Sequence, residues 1–490
     1  MPARTLLWTG AVTLAMATAA HAAMTISNAS TNNVSCTSGV CTPTGANPNL
    51  NTGDLESLLA SSEVTVKSNA AAPDIGILDP LTWASSHRLT LDAYESVHVR
   101  APVVVEGKAG LRLKTNDGGS GGDYTFNTAT SGAIAFWDLA SSFAINGRNY
   151  ALVNDIKTLA SDITANPSGN YALAESYDAA KDGTYADAPV GNELQGIFEG
   201  LGNTISNLTV INRGSSPLGF FAWSSGMLRD LNLRNAVVSS GDFSTVGTLV
   251  GVNSGGAVRV STSGKASAGE HGVVGGLVGS NRDGALIIDS VSATEVKGQS
   301  GGVAGGIAGE NDGRILLSKT SGTVQGGYFV GGLVGNNDGV IEESYESGSV
   351  KGRIAGGLIG DDEHHAGIIR QCYATGEVRT SGAGVSGGLI GREEGNTVSE
   401  CYATGLVPTN RNSGGFAGET ASNSTFRRAY WDISTTGQNA ATADGDFRGI
   451  TGLTDDQLRS ALPAGFDPNV WGQSAGINNG WPYLLANPPQ

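Results

Sequence analysis

The sequence predicts an all-β fold, a right-handed parallel β-helix with a short C-terminal cap that contains one helix. A six-residue unit, in which one small or apolar residue precedes Gly-Gly-apolar-apolar-Gly, recurs at steps of 25 to 31 residues. Such a period is typical of stacked repeats. Each unit is followed by a polar turn and further short strands, so one period holds about three strands, the content of one β-helical coil. The seven copies, the first with Thr248 in place of the second glycine, occupy residues 246–251, 274–279, 304–309, 330–335, 355–360, 386–391 and 413–418.

Residues 1–22 read as a cleaved Sec-type signal. Arg4 supplies the positive charge, residues 6–18 the apolar stretch, and Ala20-His21-Ala22 the small-residue cleavage site. A membrane anchor is the alternative, but the apolar run is short for a bilayer span. We therefore expect an exported protein, extracellular, at the cell surface or periplasmic, with no membrane span after signal cleavage.

Residues 23–53 are rich in Asn, Thr, Ser and Gly and predict a flexible leader. Residues 54–200 predict a less regular β-helical region, because short alternating strands such as Leu89–Ala93 are separated by turn residues. Short helices are expected at Leu55–Leu59 and near Ile156–Ile163. Residues 201–430 predict the main repeat.

Two stretches resemble known exoproteins. The run Leu78–Ser85, followed by Leu89-Thr90-Leu91, is similar to the N-terminal β-helical region of filamentous-haemagglutinin-like exoproteins, over about residues 54–115. The repeat at about residues 245–430 resembles the GLUG motif, which recurs in bacterial adhesin-like exoproteins and in some immunoglobulin A-cleaving metallopeptidases. This resemblance implies a surface or secreted stalk-like domain and does not imply an enzyme.

Residues 431–490 predict the cap. Thr454 and Gln457 have capping-box spacing for a helix that runs to Leu462. The aromatic residues after that helix are expected to cover the open end of the stack, where strand edges and core are otherwise exposed.

Equal positions in stacked coils form rows, because neighbouring parallel strands lie about 4.8 Å apart. The turns place four asparagines in such a row, and side-chain amides bonded along the stack are favoured over calcium or sugar binding. A tyrosine row is expected to pack coil on coil, with a sugar-binding strip as the alternative. The members of these rows are Asn253, Asn281, Asn311 and Asn337, and Tyr345, Tyr373 and Tyr402.

The four cysteines form two candidate disulfides, which export permits. Cys36 and Cys41 bracket a four-residue loop. Cys372 and Cys401 lie one repeat apart and continue the row Ser290, Ser318, Ser344. We favour a bridge between them because the coil spacing meets the Cα separation of a disulfide, and buried free thiols are the alternative.

A metal site is weakly indicated at Asp361, Asp362, His364 and His365. Carboxylates and imidazoles ligate zinc, but adjacent histidines rarely converge on one ion. The cluster replaces the Asn-x-Gly turn of one coil, so an exposed, solvated turn is the favoured interpretation.

No cofactor is expected. His-Glu-x-x-His, a nucleophile elbow, a phosphate-binding loop and a dinucleotide fingerprint are all missing from the sequence. The net charge of −16 argues against nucleic acid as a partner. We expect an exported adhesin-like protein that binds a host or neighbouring-cell surface, a glycan or a matrix component. The alternative is a carbohydrate-active β-helix enzyme or polysaccharide-binding module, because glycosidase chemistry needs only two acids. Two or three carboxylates and a basic residue in one groove would favour that alternative.

Overall fold

The protein is described by a computed structural model that covers residues 23–363 and 367–489. The predicted signal, residues 1–22, lies outside the described residues. The chain divides into two compact units. The first holds the residues up to Ala133 and Ser141–Arg148, and the second holds Ile134–Ala140 and the residues from Asn149 onward.

The first unit is a stack of short, mostly parallel strands with one helix, α1, Thr52–Leu59. Val64–Lys67, Arg88–Asp92 and Gly110–Lys114 pair in register, with Leu89 and Leu111 buried inside. The strands of this unit are Ala23–Ser27, Val34–Thr37, Val40–Pro43, Asn49–Asn51, Val64–Lys67, Asp74–Ile77, Leu81–Trp83, Arg88–Asp92, Val97–Val99, Val103–Val105, Gly110–Lys114, Tyr124–Phe126 and Ser142–Ile145.

The residues predicted as a flexible leader are part of this unit. Ala23–Ser27 pairs in parallel with Asp74–Ile77, and Asn49–Asn51 pairs on its other side. Met24 and Ile26 are fully buried. These two apolar residues alternate with polar ones, which is the pattern of a half-buried strand, and the polar composition of the segment hid that pattern.

The second unit begins with irregular coils around helix α2, Ile156–Ala165. Asp155 caps this helix by accepting a hydrogen bond from the backbone N–H of Thr158 at 2.8 Å. The strands of this part are Ile134–Phe136, Arg148–Val153, Asn170–Leu173, Tyr177–Asp178, Thr184–Tyr185, Ile197–Glu199, Thr204–Ser206 and Thr209–Ile211.

The regular coils follow and confirm the parallel β-helix. The strand that closes each glycine unit belongs to one eight-stranded parallel sheet, which we call the asparagine sheet. Its strands are Phe221–Ser224, Val250–Asn253, Val278–Asn281, Ala308–Asn311, Val334–Asn337, Ile359–Asp362, Ile390–Glu393 and Ala417–Thr420.

The other strands of each coil pair in parallel with the same strands of the next coil, as Val274 does with Ala304. Those after the asparagine sheet are Met227–Arg229, Gly256–Val258, Leu286–Ile288, Arg314–Leu316, Val340–Glu342, Ile368–Arg370, Thr397–Ala403 and Thr425–Asp432. The remainder are Asn232–Ser239, Thr245–Gly247, Ser261–Ser267, Val273–Gly275, Val291–Lys297, Val303–Gly305, Lys319–Thr320, Val324–Gln325, Phe329–Gly331, Tyr345–Glu346, Val350–Gly356, Tyr373–Ala374, Val378–Gly387 and Ser413–Gly414.

The glycine unit is required because the chain folds back on itself within each coil. Its first glycine faces the strand that follows, so a Cβ at Gly305 would overlap the carbonyl oxygen of Ala308. Its last glycine makes room for a side chain of the neighbouring coil, because a Cβ at Gly335 would lie 2.6 Å from Cγ1 of Val303. The apolar residue between them, for example Ile307, is fully buried. Space, and not a left-handed backbone, therefore fixes these glycines.

The C-terminal part contains the predicted helix and one further short helix. Helix α3, Ile433–Thr436, and the strand Ile450–Leu453 follow the last coil, and the predicted helix is α4, Asp455–Ser460, with its capping box formed. Residues 454–489, the flank segment, include the strands Trp471–Gly472 and Tyr483–Leu484. The flank segment packs along the tyrosine side chains of the last coils. None of the helices in the described ranges is long and apolar enough to cross a membrane.

Candidate functional site

The predicted asparagine row is present inside the asparagine sheet and is confirmed as a hydrogen-bonded ladder. Each side-chain amide donates to the next side-chain oxygen along the stack. The Nδ2-to-Oδ1 distances are 2.8 Å from Asn253 to Asn281, 2.8 Å from Asn281 to Asn311 and 2.7 Å from Asn311 to Asn337. All four residues are fully buried. The ladder stabilises the stack and leaves none of these amides for a ligand in solution.

The ladder ends on a carboxyl group. Asn337 Nδ2 donates to Asp362 Oδ1 at 2.8 Å, while Asp362 Oδ2 is buried without a hydrogen-bond partner. Burial raises the pKa of Asp362 to about 8, a shift that the hydrogen bond from Asn337 opposes. A carboxyl group is therefore held largely protonated where earlier coils hold an amide.

Glu393 occupies the next position of the same row, in register with Asp362. Its Oε1 accepts hydrogen bonds from the backbone N–H groups of Gly395, at 3.0 Å, and Asn396, at 2.5 Å. Its Oε2 is buried without a partner. Burial raises the pKa of Glu393 to about 7, against the effect of the two backbone hydrogen bonds. Two adjacent coils thus each hold a buried carboxyl group with one unpartnered oxygen.

An ion pair between Arg392 and Asp361 lies on the neighbouring row. Arg392 donates from Nε and Nη2 to the two oxygens of Asp361, both at 2.6 Å, and its Nε lies 3.1 Å from Glu394. Its guanidinium also lies 5.0 Å from the ring centre of Phe329. Burial raises the pKa of Asp361 to about 6, and the hydrogen bonds to Arg392 oppose this shift. The pair is therefore ionised at neutral pH and fixes the guanidinium.

These residues adjoin an open cleft at the last coils. The cleft has a volume of about 460 Å³ and is lined by Arg392, Glu393, Glu394, Glu419, Thr420, Ala421 and Asn423. Three carboxyl groups, one guanidinium, a hydroxyl and an amide thus face one space. Such a set can hydrogen-bond a polyhydroxylated ligand, and it holds an acid with a near-neutral pKa.

The predicted exposed turn at Asp361 and Asp362 is wrong, because both residues are fully buried. They end the strand Ile359–Asp362 and continue its in-register pairing with Asn336 and Asn337. The two carboxyl groups have different partners, Arg392 and Asn337. His364 and His365 lie outside the described residues. Within residues 23–363 and 367–489, no three Asp, Glu, His or Cys residues are placed to hold one metal ion.

The tyrosine row stacks as predicted. The ring centres of Tyr345 and Tyr373 are 4.6 Å apart and those of Tyr373 and Tyr402 are 5.1 Å apart, with nearly parallel planes. Tyr430 continues the row in register with Tyr402. The flank segment covers all four rings, with Trp471 lying 5.8 Å from Tyr402 between ring centres. The row is therefore a packing surface, and the alternative of a sugar-binding strip does not fit it.

Hydrogen bonds fix the flank segment along this row. Tyr430 donates to the carbonyl of Ala464 at 2.8 Å, Tyr402 to that of Pro482 at 2.5 Å and Tyr345 to that of Pro488 at 3.3 Å. Lys319, one coil before Tyr345, also donates to Pro488, at 3.0 Å. The segment therefore runs from the last coil back towards earlier ones.

The cysteine pairs behave differently. The predicted bridge between Cys36 and Cys41 is present. The favoured bridge between Cys372 and Cys401 is wrong, because both are buried free thiols. Each thiol donates to the carbonyl two residues before it, Cys372 at 3.1 Å and Cys401 at 3.2 Å. The serine hydroxyls of the row make the same bond, as Ser344 does to Glu342 at 2.8 Å. The turn therefore selects a small residue that can donate a hydrogen bond to this carbonyl, and each thiol also lies near a carbonyl of the preceding coil, Ile341 for Cys372 and Ile369 for Cys401.

The sequence interpretation missed the cleft residues. Arg392 and Glu393 stand at the repeat positions of Asp361 and Asp362, two and three residues after the unit's apolar pair. Alignment of the coils by position, instead of by turn motif, would have placed these four residues on two adjacent rows.

Comparison with known proteins gives limited likeness. No protein-family model matches this chain. A stretch of 215 residues, 43% of the chain, is 29% identical to Halomucin of Haloquadratum walsbyi, of which it spans 2%. A crystal structure from Bacteroides ovatus, assigned provisionally as an immunoglobulin A1 protease, is 20% identical with a TM-score of 0.42, over 69% of this chain and 93% of that one. A structure of an IgA1 protease is 18% identical with a TM-score of 0.33, over 55% of this chain and 20% of that one.

Proposed function

We propose that this chain is an exported, adhesin-like protein that binds a glycan of a cell surface or matrix in the cleft at its last coils. The cleft itself carries the proposal. Its charged and polar side chains are preset by hydrogen bonds, as Arg392 is by Asp361, and a preset polar site suits a ligand rich in hydroxyl groups. The proposal also draws on the resemblance of the repeat to the GLUG motif, on the filamentous-haemagglutinin-like region and on the predicted export signal.

Binding is tested with the mature protein on a glycan array and on whole cells. Glu419 and Asn423 line the cleft and are exposed, so their replacement leaves the core intact. We expect the double variant E419A/N423A to lose most retention, while E175A, an exposed site outside the cleft, keeps it. Equal retention by all three proteins, or retention by none, contradicts the proposal.

A second candidate function is cleavage of a polysaccharide in the same cleft. It is favoured by the lining of the cleft, where three carboxyl groups and one basic residue lie in one groove, the arrangement expected of this alternative from the sequence. Among them, Glu393 has a pKa of about 7, which suits a general acid at neutral pH, with Glu394 and Glu419 as nearby carboxylates. A hydrolysis screen on polysaccharides separates the two functions. Release of reducing ends by the wild type and not by E393Q supports the enzyme, and cleavage without retention of glycans or cells removes the adhesin.

A further inference from the structure

An exposed aromatic stack lies on a different edge of the β-helix from the cleft. Phe243 and His271 occupy equal positions in the turns 240–244 and 268–272 of successive coils. Their rings are stacked, with centres 5.2 Å apart and an interplanar angle of 11°. Phe243 is 69% exposed, the largest exposed fraction among the described large hydrophobic side chains.

Both rings stand at a backbone position that later coils fill with glycine. Phe243 and His271 have φ values of 54° and 55°, in the left-handed region that disfavours residues with a Cβ. The next coil has Gly301 there, with φ of 71°, and the ring of His271 lies directly over it. The turn can therefore be made without an aromatic residue.

Folding does not account for this pair. An exposed phenylalanine in a left-handed conformation is unfavourable in its backbone and in its exposed apolar surface. The turn is nevertheless firmly built, because the Phe243 N–H donates to the Glu270 carbonyl at 2.9 Å and the His271 N–H to the Ser300 carbonyl at 2.9 Å. A rigid scaffold presenting a strained, exposed ring is the arrangement of a recognition site.

The surroundings define the class of partner. The exposed stack consists of two rings among Ser, Gly, Asp, Glu and Gln side chains, and two rings offer less apolar area than a protein interface of about 800 Å² per partner needs. The apolar face of a sugar ring fits one aromatic face, and its hydroxyls can reach the exposed carboxylates of Asp242 and Glu270. Those carboxylates repel uronate, sialate and sulfate groups.

We propose that Phe243 and His271 form a stacking platform for a neutral sugar unit, distinct from the cleft. This inference rests on the proposed function, since it names the glycan class and adds a second contact for a long glycan. Two sites on one rigid stack raise the affinity for a polymer that can reach both.

The test uses the mature full chain on an array of neutral, sialylated and sulfated glycans, with whole cells in parallel. Phe243→Gly places at this turn the residue of the next coil, so it relieves the left-handed strain and is expected to leave thermal stability unchanged or higher. We expect its retention of neutral glycans to fall about tenfold, the loss of one stacking contact. The control is Trp137→Ala, which removes another ring that is 62% exposed, and its retention is expected to match the wild type.

Several outcomes overturn the platform. Retention of neutral glycans by Phe243→Gly at the wild-type level would overturn it, and so would a preference of the wild type for sialylated or sulfated glycans. Cell retention lost on protease treatment and kept on glycosidase treatment would assign the edge to a protein partner instead. In each of these cases the wild type still binds, so the proposed function survives. A wild type that binds no glycan and no cell overturns both proposals.

Discussion

Asp362 stands where four preceding coils hold asparagine, and that exchange sets the chemistry of the cleft. An asparagine both accepts and donates, whereas Asp362 accepts from Asn337 and presents its second oxygen, buried, beside Glu393. Glu393 is buried in the same way but lines the cleft. A polar row that is satisfied over four coils therefore ends in two carboxyl groups that each keep one unpartnered oxygen, and the second of them lines the cleft.

Asp362→Asn is expected to stabilise the protein at pH 8. The pKa of Asp362 is raised from 3.8 to about 8 on folding, so its stabilising contribution is complete below pH 4 and is lost as the pH rises to 8. The variant removes this loss and extends the ladder by one amide. One pKa unit corresponds to about 1.4 kcal/mol, so the free energy of unfolding should rise by at least about 1 kcal/mol.

The measurement is urea unfolding of wild type and variant at pH 5 and pH 8. Asn337→Asp is the matched control, since it adds a buried carboxyl group to the same row and should destabilise more at pH 8 than at pH 5. A variant Asp362→Asn that is less stable than the wild type at pH 8 would show that the carboxylate is compensated in the folded protein.

At the scale of the element, the glycine unit and the serine–cysteine turn act through space and hydrogen bonding. The first glycine of the unit lets two strands of one coil approach closely, as at Gly305 and Ala308. The turn accepts Ser or Cys because both donate to the carbonyl two residues earlier. The glycine unit thus requires a residue without a side chain, and the turn requires a small hydrogen-bond donor. Each recurs at its position along the repeat for that reason.

Gly305→Ala should disrupt its coil, while Gly284→Ala should be mild. A Cβ at Gly305 overlaps backbone, and overpacking of this kind costs about 1–3 kcal/mol or more. Gly284 has φ of 77° with no atom near its Cβ position, so alanine there costs only about 1–2 kcal/mol of backbone strain. Thermal unfolding of both variants tests the order, and a smaller loss for Gly305→Ala would contradict the close approach.

The thiol content tests the turn. The denatured, unreduced protein should titrate two thiols per chain, from Cys372 and Cys401, because Cys36 and Cys41 are bridged. The double variant C372S/C401S should titrate none and keep nearly wild-type stability, since serine makes the same hydrogen bond in earlier coils. A titration that finds no free thiols in the wild type would show that Cys372 and Cys401 are bridged.

At the scale of the whole molecule, the second unit is held by contacts along the stack and by the flank segment. Most contacts of a stacked coil are with its neighbouring coils. The flank segment instead joins coils that are not adjacent, with Tyr430, Tyr402 and Tyr345 bonded to it in turn. It thereby couples the stability of the last coils.

Deletion of the chain from residue 454 onward should expose four tyrosine rings. Each buried aromatic side chain contributes about 1.5–3 kcal/mol, so the truncated protein should melt earlier and bind a hydrophobic dye. Deletion from residue 486 onward is the control, because it removes only the contacts at Lys319 and Tyr345 and the neighbouring carbonyls. Equal melting of all three proteins would show that the segment adds no stability.

The sequence allowed the coil and its rows to be predicted, because a period forces equal residues into contact. Asn253 to Asn337 are an example. It did not allow the flank segment to be placed, since the bond from Tyr345 to Pro488 spans 143 residues and belongs to no repeat. Nor did it show the burial of Asp361 and Asp362, because two aspartates in place of an Asn-containing turn suggest solvent, while strand register decides otherwise.

The asparagine ladder also governs how the gene could lengthen or shorten the array. Every amide in it points its N–H the same way, so a coil duplicated between Asn253 and Asn337 joins the ladder at both ends without a mismatch. A duplicated Asp362 coil would instead add a third buried carboxyl group to a row that already holds those of Asp362 and Glu393. Duplication of a coil before Asp362 therefore keeps the ladder intact, whereas duplication of the Asp362 coil destabilises it. Asp362 thus limits where the repeat number can change.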